Sequence, residues 1–290
     1  MKMPSAAHAG TFALGGDLTV NRLGFGAMRI TGDGIWGNPK DPAECKRTLK
    51  RLIDLNVNFI DTADSYGPEV SENLIAEALY PYPNGLVIAT KGGLTRQGPN
   101  EWAPVGRAEY LRQEVEMSLR RLKVERIDLY QLHRFDPKVP VEESLDELAK
   151  MQKEGKIRHI GISETNVADI QRAQKVVKIV SVQNKYNLTD RAYEDVVDYC
   201  TKNNLAFIPW FPLGAGELVK PGGVLDRLAK KHDATMSQVA IAWLLRRSPV
   251  VLPIPGTSKA SHVEQNVAAA ELKLDGSEWQ SLEEAAQKAA

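Results

Sequence analysis

Short apolar segments that end in a polar residue or a glycine alternate along the chain with longer segments of helical periodicity. This alternation is typical of βα units built on a parallel sheet. Eight strands are predicted, at residues 23–26, 58–61, 86–90, 127–131, 157–160, 180–183, 206–209 and 251–253. Each is short enough to be one strand of a barrel.

The segments between the strands carry helix signals. After the first strand, Asp41 is placed as an N-cap and Pro42 as the first helical residue, and apolar residues then recur at spacings of three and four. Segment 140–154 stops before Gly155, where a glycine often follows a helix. Similar helices are predicted at 108–122, 190–203 and 236–247.

The whole pattern predicts one α/β domain over residues 1–290, a single (β/α)₈ TIM barrel. Eight βα units in about 250 residues match this fold, which places its catalytic groups on loops at the carboxyl ends of the strands. No linker or low-complexity segment divides the alternation. Ahead of the barrel, Gly15-Gly16 separates two short β-rich runs, which predicts an N-terminal β-hairpin that caps the barrel.

A glycine motif offers a competing interpretation. Residues 32–37 match G-x-G-x-x-G, and Asp61 lies near the position of a ribose-binding acid in a Rossmann fold. That motif must leave a strand and open directly into a helix, whereas here the helix signal comes only at Asp41. The Rossmann interpretation is therefore disfavoured, and the glycines are interpreted as a mobile loop over the barrel mouth.

Composition narrows the possible partners. The 37 basic and 37 acidic side chains balance, so the sequence predicts no binding to nucleic acid or to an anionic membrane. The longest apolar run, residues 239–245, is far shorter than the roughly 20 residues of a membrane-spanning helix. With two cysteines and no histidine spacing for a metal, we expect a cytoplasmic protein without a metal, either a monomer or a weak homo-oligomer.

Polar side chains lie at or just after the ends of three neighbouring strands: Asp61, Tyr66, Lys91 and His133. A tyrosine hydroxyl has a pKa of about 10, and a nearby ammonium favours its anion and lowers that pKa. Lys91 would supply this charge, Asp61 would hold the lysine charged, and His133 would orient a carbonyl oxygen toward Tyr66. The set predicts proton delivery to a developing alkoxide.

Several longer motifs occur in a fixed order along nearly the whole chain. They are LGFG at 23–26, FIDTADSYG at 59–67, TK at 90–91, LHR at 132–134, GKIRHIGIS at 155–163, QN at 183–184, PLG at 212–214 and IPGT at 254–257. On these motifs the sequence resembles the aldo-keto reductase family, in particular its short bacterial-type members. The resemblance implies NADPH-dependent reduction of aldehydes or ketones, with Asp61, Tyr66, Lys91 and His133 as a catalytic tetrad and Tyr66 as the general acid.

The resemblance also implies where NADPH/NADP⁺ binds. The matching positions are Gly26, Ser163, Gln183, Trp210, Leu213, Gly214, Gly256, Thr257, Ser258, Lys259, His262, Gln265 and Asn266. Trp210 is expected to stack on the nicotinamide, and residues 257–259 to bind the 2′-phosphate at a helix N-terminus. The chain departs from the family at Glu164, where many relatives have asparagine, and at His262, where an arginine is common.

Aromatic residues in loops are the candidate walls of the substrate pocket: Trp36, Trp102, Phe135 and Phe211. They favour an aromatic or apolar small-molecule carbonyl substrate. The resemblance adds pyridoxal as a specific candidate, because related barrels act on that aldehyde. Two alternatives remain. Lys91 could form a Schiff base, as in a barrel lyase, or the chain could be an NADP-binding sensor subunit that resembles channel β-subunits.

Overall fold

The computed structural model describes residues 3–212 and 221–289. It begins with an antiparallel hairpin, β1 (Thr11–Leu14) and β2 (Leu18–Asn21), whose turn contains Gly15 and Gly16. Both glycines have positive φ, 67° and 98°, a backbone conformation that other residues rarely adopt. The predicted N-terminal hairpin is thus present.

Among the described residues, seven parallel strands form the main sheet. They are β3 (Phe25–Gly26), β4 (Phe59–Asp61), β5 (Val87–Gly92), β8 (Ile127–Leu132), β9 (Ile157–Ser163), β10 (Ile179–Gln183) and β11 (Ala206–Phe207). A separate antiparallel hairpin, β6 (Leu94–Gly98) and β7 (Glu101–Pro104), lies between β5 and β8 in the chain. Neighbours in the sheet follow chain order from β3 to β11, apart from that inserted hairpin.

The predicted eighth strand closes the barrel through a few backbone hydrogen bonds. Leu252 N donates to Phe207 O at 2.8 Å on one side, and Gly24 N donates to Pro253 O at 2.9 Å on the other. Segment 251–253 therefore joins the last and first strands, although only Val251 forms a β-bridge. The (β/α)₈ barrel prediction is confirmed.

Helices follow the strands around the outside of the barrel. They are α1 (Pro42–Asp54), α2 (Val70–Leu79), α3 (Ala108–Leu122), α4 (Val141–Lys153), α5 (Val167–Gln174), α6 (Glu194–Asn203), α7 (Val224–Lys231), α8 (Met236–Arg247), α9 (Ala260–Ala268) and α10 (Gly276–Ala289). Asp41 caps α1 by accepting from Glu44 N, with Pro42 at N1. The helix predicted from residue 190 begins at Glu194, because Asn187 Oδ1 first accepts from the amides of Thr189 and Asp190 in a turn.

The hairpin covers the amino-terminal end of the barrel. Asp17, next to its turn, accepts hydrogen bonds from Arg158 Nη2 at 2.8 Å and pairs with His159 Nε2 at 2.6 Å. The buried residues Leu14 and Val20 belong to the same apolar core as the barrel strands. The hairpin therefore caps the end opposite the strand termini that carry the candidate chemistry, as predicted.

The hairpin β6–β7 was predicted only as a loop. Arg96 ties it to the neighbouring loops by donating from Nη1 to Ile35 O and to Ser65 O, each at 2.7 Å. The glycine-rich segment 32–37 is anchored by the same arginine, which also donates to Gly34 O at 3.0 Å. No helix in the described part of the chain is long and apolar enough to cross a membrane.

Candidate active site

Three strand ends and one loop bring the predicted tetrad together. Asp61 is the last residue of β4, Lys91 lies near the end of β5, and His133 directly follows β8. Tyr66 lies in the loop after β4, where its amide bonds to Ala63 O and its carbonyl accepts from Ser71 N. All four side chains are buried around one point of the rim.

Lys91 connects the acid and the tyrosine. Its Nζ donates to Asp61 Oδ1 at 2.5 Å, to Thr62 O at 2.8 Å and to Tyr66 OH at 3.3 Å. The lysine side chain is 0% exposed, so these three oxygens take the place of its water shell. The ammonium is therefore fixed against the phenol by its own ligands.

The second oxygen of Asp61 is held by two amides. Asp61 Oδ2 accepts from Gln131 Nε2 at 2.9 Å and from Gln183 Nε2 at 2.8 Å. Gln131 was missed by the sequence reasoning. The detectable signal is its parallel register with Lys91, because paired residues of neighbouring strands share one face of the sheet.

The pKa of Tyr66 differs in direction from the sequence expectation. Burial raises it most strongly, the Lys91 ammonium lowers it, and the Asp61 carboxylate raises it again, leaving the pKa above its ordinary value. Lys91 thus offsets the desolvation without reversing it. The phenol stays protonated at neutral pH, as a proton donor must.

Lys91 itself stays charged. Burial lowers its pKa, but Asp61 and Tyr66 together outweigh burial and leave the pKa raised. A Schiff-base nucleophile must be an unprotonated amine. The charged state of Lys91 therefore disfavours the lyase alternative.

His133 is a neutral imidazole. Burial lowers its pKa well below the ordinary range, and the nearby charges of Lys91, Arg134 and Arg96 lower it further. Its Nδ1 lies 3.4 Å from Ser65 Oγ, which leaves Nε2 for another partner. The ring stands edge-on to Tyr66, with centroids 5.9 Å apart, so the imidazole lies beside the phenol.

Asp61, Tyr66 and His133 form part of the lining of a cavity of about 560 Å³, a size typical of small-molecule sites. Its lining residues are Gly26, Met28, Arg29, Ile35, Asp61, Tyr66, Leu94, Trp102, Pro104, His133, Arg134, Ser163, Gln183, Trp210, Phe211, Pro212, Ile254 and Gly256. The surface is mainly apolar with a few converging polar groups. Such a lining suits an organic ligand more than a hydrated ion.

Five predicted cofactor residues lie on this lining: Gly26, Ser163, Gln183, Trp210 and Gly256. The two glycines face each other where the first and last strands meet. A Cβ on Gly256 would lie 2.5 Å from Gly26 O, and a Cβ on Gly26 would lie 2.7 Å from Ile254 O. The close approach of the backbones therefore requires both glycines and leaves bare backbone at the cavity edge.

Glu164 holds Trp210. Its Oε1 accepts from Trp210 Nε1 at 2.5 Å and from Lys185 N at 2.8 Å. Glu164 is not among the cavity-lining residues, whereas Trp210 is. The carboxylate at the family's asparagine position thus orients the aromatic wall.

The other predicted cofactor residues surround the N-terminus of α9. Thr257 Oγ1 accepts from Lys259 N at 3.1 Å and lies 3.3 Å from His262 Nδ1. Ser258 is half-buried, Lys259, His262 and Gln265 are exposed, and Asn266 is buried. Leu213 and Gly214 lie outside the described residues.

The first backbone amide of α9 donates a hydrogen bond to a carboxylate. Ala260 N donates to Glu44 Oε1 at 3.0 Å, and Glu44 comes from the first turn of α1. At the place that the resemblance implies for the 2′-phosphate, the helix N-terminus binds a side chain of the protein itself in this structure. The sequence places Glu44 at the start of the first helix and gives no sign of its contact with α9.

Two of the four predicted aromatic walls line the cavity, Trp102 and Phe211. Trp102 lies in β7 with the Arg96 guanidinium 3.6 Å above its ring centre. Trp36 is absent from the lining and is exposed in the adjoining loop, where the same guanidinium lies 5.6 Å from its ring centre. Phe135 is absent because it packs, half-buried, against the main apolar core.

Two arginines of the lining were also missed, Arg29 and Arg134. Arg134 directly follows His133, so its position after a strand end was a usable signal. Arg29 lies in a short 3-10 turn after β3, and its Cγ is 3.5 Å from where a Cβ of Gly256 would be. Nothing in the local sequence pattern indicates that placement.

Comparisons with known proteins show the family of the chain. The sequence model of the aldo/keto reductase family matches residues 22–287. An uncharacterised oxidoreductase of Schizosaccharomyces pombe is 59% identical over 279 residues, covering 96% of this chain and 90% of the relative. Pyridoxine 4-dehydrogenase of Escherichia coli is 41% identical over 270 residues, covering 91% and 94%.

A solved structure resembles the whole barrel. The aldo-keto reductase of Klebsiella pneumoniae in complex with NADPH superposes with a TM-score of 0.81 and 25% sequence identity. The match covers 98% of this chain and 95% of that chain.

Proposed function

The chain belongs to the aldo/keto reductase family, a family of NADP-dependent oxidoreductases, and we propose that it reduces aldehydes or ketones to alcohols with Tyr66 as the general acid. One observation carries the proposal. The charged Lys91 touches Asp61 and Tyr66 at the wall of an apolar cavity, so a protonated phenol is held next to a fixed cation.

The residues present fit NADPH. The nicotinamide end would be held by Ser163 and Gln183, whose polar groups converge on the cavity, and by the ring face of Trp210. The adenosine end would lie toward α9, whose first amide already binds a carboxylate and whose neighbours include Lys259 and His262. When bound, NADPH supplies the hydride that reduces the carbonyl carbon.

The protein's own groups manage the proton. Tyr66 OH donates its proton to the carbonyl oxygen as negative charge develops there, and Lys91 Nζ stabilises the phenolate that remains. His133 stays neutral, and its Nε2 can direct the oxygen toward Tyr66 when Ser65 binds Nδ1. Asp61 keeps the lysine charged, and its two amide partners keep the carboxylate in place.

NADPH oxidation measured against a panel of aldehydes and ketones tests the proposal. We expect turnover that depends on NADPH and yields the alcohol. Tight NADPH binding without turnover of any carbonyl would overturn it and favour the sensor subunit. Borohydride trapping with substrate should leave no covalent adduct on Lys91; an adduct would favour the lyase.

Pyridoxal is a second, narrower candidate substrate within the same reaction class. The observation in its favour is the 41% identity to pyridoxine 4-dehydrogenase over most of both chains. The test is the kcat/KM for pyridoxal relative to benzaldehyde. A higher value for pyridoxal supports this candidate, and a lower one rejects it while leaving carbonyl reduction intact.

A further inference from the structure

Arg134 is fixed at the cavity wall beside the candidate acid. Its Nη1 donates to His133 O at 2.6 Å and to Ser163 Oγ at 3.1 Å. The side chain is half-buried and lines the cavity. Nη1 therefore holds the guanidinium in place, with its positive charge between the carboxyl ends of β8 and β9.

The charge of Arg134 has no counterion among residues 3–212 and 221–287. No carboxylate in that part of the chain forms an ion pair with it, and neither Nε nor Nη2 has a hydrogen-bond acceptor there. Among the described residues, the only acidic side chain on the cavity lining is Asp61, which Lys91 already neutralises. By contrast, the buried Arg121 pairs with Glu72.

The Nε and Nη2 donors of Arg134 are not among the buried atoms that lack a hydrogen-bond partner, so they reach solvent at the cavity wall and are free to bind an anion. Of the charged groups of the cofactor, the 2′-phosphate is proposed for the N-terminus of α9, near Lys259, whereas Arg134 contacts Ser163, which is proposed for the neutral nicotinamide carboxamide. The positive charge of Arg134 is therefore available to the carbonyl substrate, the second ligand of the cavity.

We propose that Arg134 binds an anionic group, such as a carboxylate, on the carbonyl substrate, and so selects negatively charged aldehydes or ketones over neutral ones of the same shape. This inference rests on the proposed carbonyl reduction. The planar guanidinium matches a carboxylate through paired N–H donors, which a lysine cannot reproduce. Its field reaches the acid, since Arg134 also lowers the pKa of both Tyr66 and His133.

Matched pairs of substrates test the selection. The 2-, 3- and 4-formylbenzoates are compared with the corresponding formylbenzamides, which keep the shape and lose the charge. For at least one isomer we expect kcat/KM to favour the carboxylate by about tenfold or more, the size of one charge-assisted hydrogen bond. Three isomers are needed because the separation between the carbonyl and the anion is part of the selection.

Variants assign the effect to this side chain. Arg134→Gln should reduce the preference to within about twofold, and Arg134→Lys should retain part of it. The matched control is Arg107→Gln, because Arg107 is an exposed arginine outside the cavity lining whose nearest carboxylate, on Glu109, is 3.9 Å away. Arg107→Gln should keep the full preference. If Arg134→Gln lowered kcat/KM for the carboxylate and for the amide by the same factor, the inference would be overturned.

Binding gives a readout that does not need turnover. Calorimetry on the NADP⁺ complex compares each hydroxymethylbenzoate with its hydroxymethylbenzamide, and we expect tighter carboxylate binding in the wild type but not in Arg134→Gln. Equal affinities in the wild type would overturn the inference even if neutral aldehydes are reduced. Absence of any carbonyl turnover, with carboxylate selection intact in the binding measurement, would overturn the proposed reaction and uphold the anion site.

Discussion

The indole Nε1 of Trp210 donates a 2.5 Å hydrogen bond to Oε1 of Glu164, 46 residues earlier in the chain. Glu164 has a positive φ of 57°, a conformation uncommon for a residue with a Cβ. The same oxygen also binds Lys185 N, so the carboxylate joins the ends of three neighbouring strand segments. The ring proposed to stack on the nicotinamide is thereby set at one angle.

Removal of this carboxylate should weaken cofactor binding. In Glu164→Ala the indole loses its acceptor, and we expect the Kd for NADPH to rise roughly fivefold to tenfold, as for one lost hydrogen bond. Glu164→Gln keeps an oxygen for Trp210 and should stay within about twofold. Quenching of tryptophan fluorescence by NADPH measures both. An unchanged Kd in Glu164→Ala would show that the bond does not position the ring.

Glu44 should oppose the 2′-phosphate at α9. Glu44→Gln keeps an acceptor for Ala260 N but removes a negative charge from the helix N-terminus. We expect affinity for NADPH to rise by roughly twofold to fivefold at low salt, the scale of a charge at a helix end. NADH is the control, because it lacks the phosphate. Equal changes for both cofactors would place the 2′-phosphate elsewhere.

Acid should loosen the hairpin cap. Hydrogen bonds from Arg158 and His159 lower the pKa of Asp17 from 3.8 to about 2. A carboxyl with a depressed folded pKa stabilises the protein above its unfolded pKa, and that contribution is lost as the pH falls from about 4 to 2. The melting temperature of the wild type should therefore exceed that of Asp17→Asn at pH 6, and the difference should be smaller at pH 2. A difference in melting temperature that stays the same from pH 6 to pH 2 would contradict this linkage.

Asp64 should show the opposite dependence on pH. Burial raises its pKa well above 3.8, as do Glu72 and Glu114, and neither carboxyl oxygen has a hydrogen-bond partner among the described residues. The unfolded chain ionises above pH 4 while the folded one holds the proton, so this residue lowers stability as the pH rises. We expect Asp64→Asn to melt roughly 2–4 °C higher than wild type at pH 8. The difference should shrink toward pH 4, and a pH-independent difference would contradict a raised pKa.

The fold and the tetrad were accessible from sequence because their signals are local. Strand and helix periods recur along the chain, and Asp61, Lys91 and His133 each follow a strand whose end must lie at the same rim. The limits of the hairpin β6–β7 were not accessible, because its anchoring depends on Arg96 binding carbonyls about 30 to 60 residues away.

Side chains whose place depends on distant partners also escaped prediction. Trp102 lines the cavity and Trp36 does not, although the Arg96 guanidinium lies by both rings. The Glu44 contact with Ala260 spans 216 residues, and neither local sequence indicates it. Charge alone likewise does not show that Arg134 lacks a counterion in the described part of the chain, since that depends on every element around the cavity.

The central claim is that the Tyr66 hydroxyl protonates the carbonyl oxygen. The most direct measurement compares wild type and Tyr66→Phe for NADPH oxidation with a reactive aldehyde, together with the Kd for NADPH. We predict that kcat falls by a factor on the order of 10² to 10⁴, the range for a general acid, while the Kd changes by less than about twofold. Turnover near the wild-type rate in a Tyr66→Phe protein that binds NADPH normally would contradict the account.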